Sequence, residues 1–223
     1  MAPSREALLD ERESLLAEIA AVYGTRQGLS ETISLEGFLW VDAAVEAMAL
    51  KGPTDYLEIG SFMGVSTIVF ASALRRRGVL GRIVCLDPYF DQGYVETLPW
   101  GGETVVKNST PYVMAKACEL YARCGLEVYL NRQESRAGLQ AIISGGKKFG
   151  LVFIDGNHEG LNPLCDLALS LCVIAPGGFV VLDDVAWPDV APVKALCDRH
   201  LVPVLGSPQK ACYQAVERRY ERP

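Results

Sequence analysis

Histidine is scarce in this chain: its 223 residues hold only His158 and His200. A two-histidine, one-carboxylate iron centre needs both imidazoles at one point. With His200 far along a helical stretch, an ordinary non-haem oxygenase is disfavoured. Positive charge is also in deficit, 21 Lys and Arg against 27 Asp and Glu, for a net charge of -6. That balance argues against a nucleic-acid partner, since phosphate backbones reward lysine and arginine. The seven cysteines (Cys85, Cys118, Cys124, Cys165, Cys172, Cys197, Cys212) include no CxxC pair. Their odd number and apolar settings indicate buried free thiols in a reducing compartment. The apolar runs are interrupted by polar residues and fall short of the ~20 residues of a membrane span. The first residues are charged, with none of the apolar core of a signal peptide. A soluble, cytoplasmic protein with no membrane partner is expected. Internal repeats and low-complexity segments are absent.

Half of the residues are hydrophobic, enough to bury a sizeable core in one α/β domain of this length. Residues 4–23 have helical periodicity, with Leu8, Leu15, Leu16 and Ile19 near one face. Such a helix outside the main fold serves equally as a subunit contact in a homo-oligomer, as part of a lid, or as a plain surface helix. A second helix starts at Ser34 and is stopped by Gly52 and Pro53. Residues 1–52 are therefore expected to be an N-terminal helical extension or lid, and residues 53–223 the main domain.

From Thr54 onward short strands and helices alternate. TDYLEIG, RIVCLDPYF, LEVYLNRQES, LVFIDG and FVVLDD are strands, with helical stretches between them. Residues 91–109 are irregular and rich in Gly, Pro, Trp and Tyr. LVPVLG and KACYQAVER, separated only by SPQ, form a closing antiparallel hairpin, because three residues cannot carry a crossover helix. The fold class is α/β: a doubly wound, mostly parallel seven-stranded sheet with a C-terminal antiparallel hairpin.

Two strand ends carry nucleotide-type chemistry. In YLEIGSFMGVST, Glu58, Gly60, Ser61 and Gly64 span the turn from the first strand into its helix. Glycines there let backbone approach a ligand, and the helix N-terminus offers free N–H groups. An acid ahead of them would repel pyrophosphate, which disfavours a dinucleotide, but it suits a ligand's ammonium group. Asp87, ending the second strand, can accept both hydroxyls of a ribose. Gln133, Glu134 and Ser135 follow the third strand, where an adenine edge would lie. Arg132 and Arg136 beside them are read as solvated charges.

With these motifs, residues 53–217 resemble the class I S-adenosylmethionine-dependent methyltransferases, and the expected fold is their Rossmann-like one. The resemblance implies S-adenosylmethionine as cofactor, held by Glu58, Gly60, Ser61, Gly64, Asp87, Gln133 and Ser135. Within the class, IDGNHEG followed by APGGFVVLDD is most similar to the small metal-dependent O-methyltransferases of macrocin and catechol type. It also resembles the cephalosporin-hydroxylase-like group.

Ligands of a parallel sheet sit beyond the carboxyl ends of its strands. Asp155 ends the fourth strand, and Asp183 and Asp184 end the fifth. If those strands are neighbours, three carboxylates converge and need a cation or protons to offset their repulsion. Mg²⁺ or a similar hard divalent ion takes such oxygen ligands, and the resemblance places the family's metal carboxylates on the same three residues. The ion would orient an acceptor hydroxyl and lower its pKa.

The chain departs from the macrocin-type pattern at Asn157, where those enzymes often carry a carboxylate base. An amide orients a hydroxyl but cannot take its proton at neutral pH. Its neighbour His158 stands open to three roles: general base, metal ligand or structural donor. The lysine base of the catechol type has no counterpart before Lys194. Asp155, Asn157 and His158 are thus the catalytic candidates. Tyr94, Trp100 and Trp187 are candidate walls for a small hydroxylated substrate. Two other readings remain: a hydroxylase-like enzyme on the same fold, and a non-catalytic S-adenosylmethionine-binding protein.

Overall fold

Strand β1 (Thr54–Ile59) lies in the interior of the sheet and has apolar residues on both faces. In the computed structural model, which describes residues 3–24, 33–97, 104–107 and 109–215, β1 is flanked by β2 (Leu80–Leu86) and β6 (Phe149–Ile154). Outward from these lie β5 (Val128–Asn131) on one side and β7 (Ile174–Leu182) on the other. The hairpin β8 (Val202–Gly206) and β9 (Ala211–Gln214) completes the sheet in the order β5-β2-β1-β6-β7-β9-β8. The first five of these run parallel, and β9 is antiparallel to both β7 and β8. This is the seven-stranded, doubly wound sheet expected from the sequence.

Side chains alternate across each strand. Tyr56, Phe153 and Val181 therefore enter one core with α3 (Val65–Arg76) and α4 (Pro111–Arg123). Leu57, Ile59, Val152 and Val180 enter the other. That second core is covered by α5 (Ser135–Ser144), α6 (Asn162–Val173) and α7 (Ala191–His200). Phe70 stacks between Tyr56 and Phe153, with ring centroids 5.5 and 5.0 Å away. Each side chain of this size, fully buried, contributes about 1.5–3 kcal/mol.

Helix α1 (Arg5–Tyr23) is capped by Ser4 and closed by Gly24 at φ 78, and α2 (Leu35–Ala47) is capped by Ser34. Both pack on the first core: Leu8, Leu16, Ile19 and Val22 of α1 and Phe38 and Val41 of α2 are buried there. Polar ties add to this. Glu11 pairs with Arg76, Glu18 with Arg123 at 2.6 Å, and the Tyr23 hydroxyl donates to the Met63 carbonyl at 2.9 Å.

Two local expectations are corrected. The stretch 91–109, expected to be irregular, contains a small antiparallel ribbon of β3 (Tyr94–Thr97) and β4 (Thr104–Lys107). Strand β7 begins at Ile174 rather than at Phe179, where FVVLDD starts, because Ile174 already pairs with Phe149 ahead of a register shift. Among the described residues no helix is long and apolar enough to cross a membrane.

Candidate active site

The parallel strands end in one row. Ile59 is in register with Leu86 and Ile154, and Ile154 with Leu182. The next residues, Gly60, Asp87, Asp155 and Asp183, extend the ladder through backbone bonds from Gly60 to Leu86, Asp155 to Ile59 and Asp183 to Ile154. The two acidic strand ends, which the sequence separates by a helix and a strand, are thus neighbours.

Glu58 shares a face of β1 with Tyr56, so its carboxylate is directed under the start of α3. It is fully buried and ringed by hydroxyls. Tyr56 donates at 2.9 Å and Thr67 at 2.6 Å to one oxygen, and Ser66 donates to the other. Tyr121 extends the network to Thr67 at 3.1 Å. Burial lifts the carboxyl to about 7, against the pull of the three hydroxyls. Its oxygens are engaged within the protein rather than left for direct contact with a ligand's ammonium group.

The turn that follows is tightly held. Gly60 (φ +83) has no room for a side chain: a Cβ would stand 2.0 Å from the Asp155 carbonyl oxygen. At Gly64 (φ +76) a Cβ would stand 2.6 Å from the Tyr121 ring. Ser61 is buried, with its hydroxyl 3.0 Å from that of Tyr89. The Tyr89 hydroxyl also donates to the Phe62 carbonyl at 2.8 Å. Asp87 accepts the Phe62 N–H at 2.9 Å, the Tyr89 N–H at 3.0 Å and the Ser109 hydroxyl at 2.8 Å. It thereby binds the glycine turn, its own strand end and the start of α4 together.

The adenine-side candidates separate. Gln133 is exposed in the turn after β5. Ser135 opens α5 and hydrogen-bonds Asp166, a buried α6 carboxyl raised to about 6 by burial. Arg132 is not a plain solvated charge, as it donates to the carbonyls of Pro88 and Tyr89 at 3.2 and 3.0 Å and pairs with Asp91.

At the acidic end, one carboxylate, one imidazole and a second carboxylate converge. Single ligand atoms of Asp155, His158 and Asp184 all lie within 4.8 Å of one another. His158 Nε2 is 3.5 Å from Asp155 Oδ1 and 3.8 Å from Asp184 Oδ2. Burial and the neighbouring Asp183 charge raise the Asp155 carboxyl above the ordinary range. Asp184 takes a left-handed backbone, φ 48, uncommon for a residue with a side chain.

The expected trio of Asp155, Asp183 and Asp184 is not what comes together. Asp183 Oδ2 is taken by the ammonium of Lys210, and its Oδ1 accepts the Asp184 N–H at 2.8 Å. Lys210 was missed by the sequence reading. Asn157 closes a local turn, its side-chain oxygen accepting the Glu159 N–H at 2.8 Å. Trp187 is buried against His158, ring centroids 4.9 Å apart, and is a support rather than a substrate wall. Tyr94 opens β3, and Trp100 lies outside the described residues.

Residues 57–185, more than half of the chain, match the family model described as "Methyltransferase domain". Among curated proteins none matches. Among solved structures, an O-methyltransferase from Bacillus cereus in complex with SAH superposes with a TM-score of 0.59 at 19% identity, covering 97% of this chain and 93% of that one. A calicheamicin methyltransferase gives 0.62 at 18% identity, covering 96% and 94%. The O-methyltransferase TomG from Streptomyces achromogenes, in complex with SAM, gives 0.51 at 17% identity, covering 91% and 90%. At these identities the likeness is one of fold.

Proposed function

The chain belongs to the methyltransferase-domain family, and from that premise we propose that it moves a methyl group from S-adenosylmethionine to a hydroxyl of a small molecule, aided by a divalent cation. The observation that carries this reading is the row of strand ends. A glycine turn and a ribose-type acid, Gly60 and Asp87, continue directly into a cation-type cluster at Asp155, His158 and Asp184. The donor's methyl and the acceptor's oxygen would then meet at one edge of the sheet.

The donor contacts belong to the 60–64 turn and Asp87, with Gln133 and Ser135 on the adenine side. Asp87 already accepts three donors, so a ribose would replace or share the Ser109 contact. Glu58 acts from beneath the turn: its buried carboxyl favours a positive ligand over a phosphate above it.

At the acceptor end the residues fit a divalent ion, since two carboxylates and an imidazole are a sound donor set. Bound there, such an ion would lower the pKa of the acceptor hydroxyl and orient it. The acceptor oxygen forms its bond to carbon as the sulfonium's bond to the methyl breaks. The neutral thioether leaves with the electron pair, and the hydroxyl proton passes to solvent or base. Alignment supplies most of the rate, and the chain's part is to hold both reactants. The 3.5 Å approach of His158 to Asp155 supports a second, metal-free version. In it His158 takes the proton and Asp155 stabilises the imidazolium.

Calorimetric titration with S-adenosylmethionine, SAH and NAD tests the donor. Binding of NAD alone would overturn the reading. Methyl transfer to a panel of hydroxylated small molecules, after chelation and again after adding a divalent ion, separates the two versions. Full activity in the chelated enzyme selects the His158 base.

A further inference from the structure

We infer that the acidic end holds its cation with a mixed set, Asp155, His158 and Asp184, that Lys210 keeps Asp183 out of that set, and that the site therefore takes a first-row transition dication in preference to Mg²⁺. The inference rests on the reading of this end as a cation site beside the acceptor, and it departs from the all-aspartate set implied by the sequence.

Geometry supports the imidazole as a ligand. Two donor atoms ~2.1 Å from one ion stand ~3.0 Å apart when adjacent and ~4.2 Å when opposite. The His158 separations of 3.5 and 3.8 Å fall inside that interval. The imidazole is also held from behind by the Trp187 ring at 4.9 Å. Trp187 is itself tied to Asp184, its N–H donating to the Asp184 carbonyl at 2.9 Å. The second carboxylate, Asp184, and the support of the imidazole thus sit on one short turn, and such support fixes the orientation of a ligating ring.

Asp183 is removed by a different part of the chain. Strand β9 pairs antiparallel with β7, with Ala211 opposite Leu182. The preceding residue, Lys210, therefore faces Asp183 and pairs with it. The hairpin is pinned where this happens. The Val185 N–H donates to the Gln209 carbonyl at 2.9 Å, and Ser207 Oγ accepts the Lys210 N–H at 2.9 Å. The Lys210 ammonium also lies 5.6 Å from the Phe153 ring centroid. A cation drawing on Asp183 would have to displace a salt bridge that the fold itself aligns.

One nitrogen among the ligands changes the choice of ion. Mg²⁺ prefers oxygen throughout and gains little from imidazole, whereas first-row transition ions bind imidazole well.

The test uses the full chain stripped with chelator and probed with Mn²⁺. Loss of the free-ion electron paramagnetic resonance signal gives affinity, and pulsed measurements on the bound ion detect coupling to ¹⁴N. Expected are an imidazole-type ¹⁴N coupling in the unaltered protein and displacement of Mn²⁺ only by Mg²⁺ on the order of 100-fold in excess. Also expected are a loss of Mn²⁺ affinity of about 10–100-fold in His158→Ala and a change of less than about threefold in Asp183→Asn. The ¹⁴N measurement needs no variant and stands even if His158→Ala does not fold. Bound Mn²⁺ without ¹⁴N coupling, together with Mg²⁺ competing at parity, would overturn the mixed set and restore the all-aspartate one. No Mn²⁺ binding to protein that still binds S-adenosylmethionine would overturn the cation site and leave the donor reading standing. Failure of donor binding with Mn²⁺ binding intact would overturn the methyl-transfer reading instead.

Discussion

Gly60 lies against the backbone of Asp155, so closely that a Cβ on it would stand 2.0 Å from the Asp155 carbonyl oxygen. The glycine turn and the acidic end are thus one packed unit across β1 and β6. A side chain at either the turn or the acid's backbone must move the other.

Gly60→Ala should therefore damage stability and site together. The residue sits at φ +83 with no free space, and the expected loss is about 3 kcal/mol or more. Urea unfolding monitored by circular dichroism measures it. A variant as stable as the parent would show that β1 and β6 can part at no cost.

Glu58 makes stability depend on pH. Burial raises its carboxyl from the ordinary 4.5 to about 7 in the folded protein. The stability it contributes is full below about 4.5, where both states hold the proton, and is lost as pH rises through about 7. The size is on the order of 3 kcal/mol. Glu58→Gln keeps the shape and removes the titration. Ligand-free parent and variant should therefore diverge between pH 5 and pH 8, with the parent losing ground. Parallel unfolding profiles would refute a raised carboxyl.

Lys210 and Asp183 should couple. Their side chains are 19% and 13% exposed, so removing the ammonium leaves a mostly buried carboxylate without its partner. Lys210→Met is expected to cost about 1–3 kcal/mol. A double-mutant cycle with Asp183→Asn should return a coupling of about 1–2 kcal/mol. Strict additivity would mean that the pair contributes nothing.

Asp155→Asn should separate catalysis from donor binding. Its carboxylate belongs to the proposed cation site, while its backbone packs against the turn. Methyl transfer should fall on the order of 100-fold or more, with S-adenosylmethionine affinity within about threefold by calorimetry. Equal losses of both would assign the carboxylate to the donor instead.

The sequence alone determined the alternation of strands and helices, the closing hairpin, and the acids and glycines at the strand ends. These are local properties: apolar period, turn residues, and the rule that a parallel strand delivers its last residues to the ligand edge. Glu58, Gly60, Asp87 and Asp155 therefore lie at the carboxyl ends of their strands, as their places in the sequence require. Only the tertiary structure decided what each of them touches. Lys210 is 27 positions from Asp183, and nothing local marks it. It arrives because β9 lies against β7 in the register that sets Ala211 opposite Leu182. Ser109 reaches Asp87, and the Tyr89 hydroxyl reaches Ser61 of the glycine turn, in the same non-local way. Trp187 faces His158 rather than a substrate, because the β7–α7 turn folds back over the β6 end. Side-chain partnership across a sheet depends on register and strand order. Those follow from the packing of the whole core, so no stretch of sequence carries them by itself.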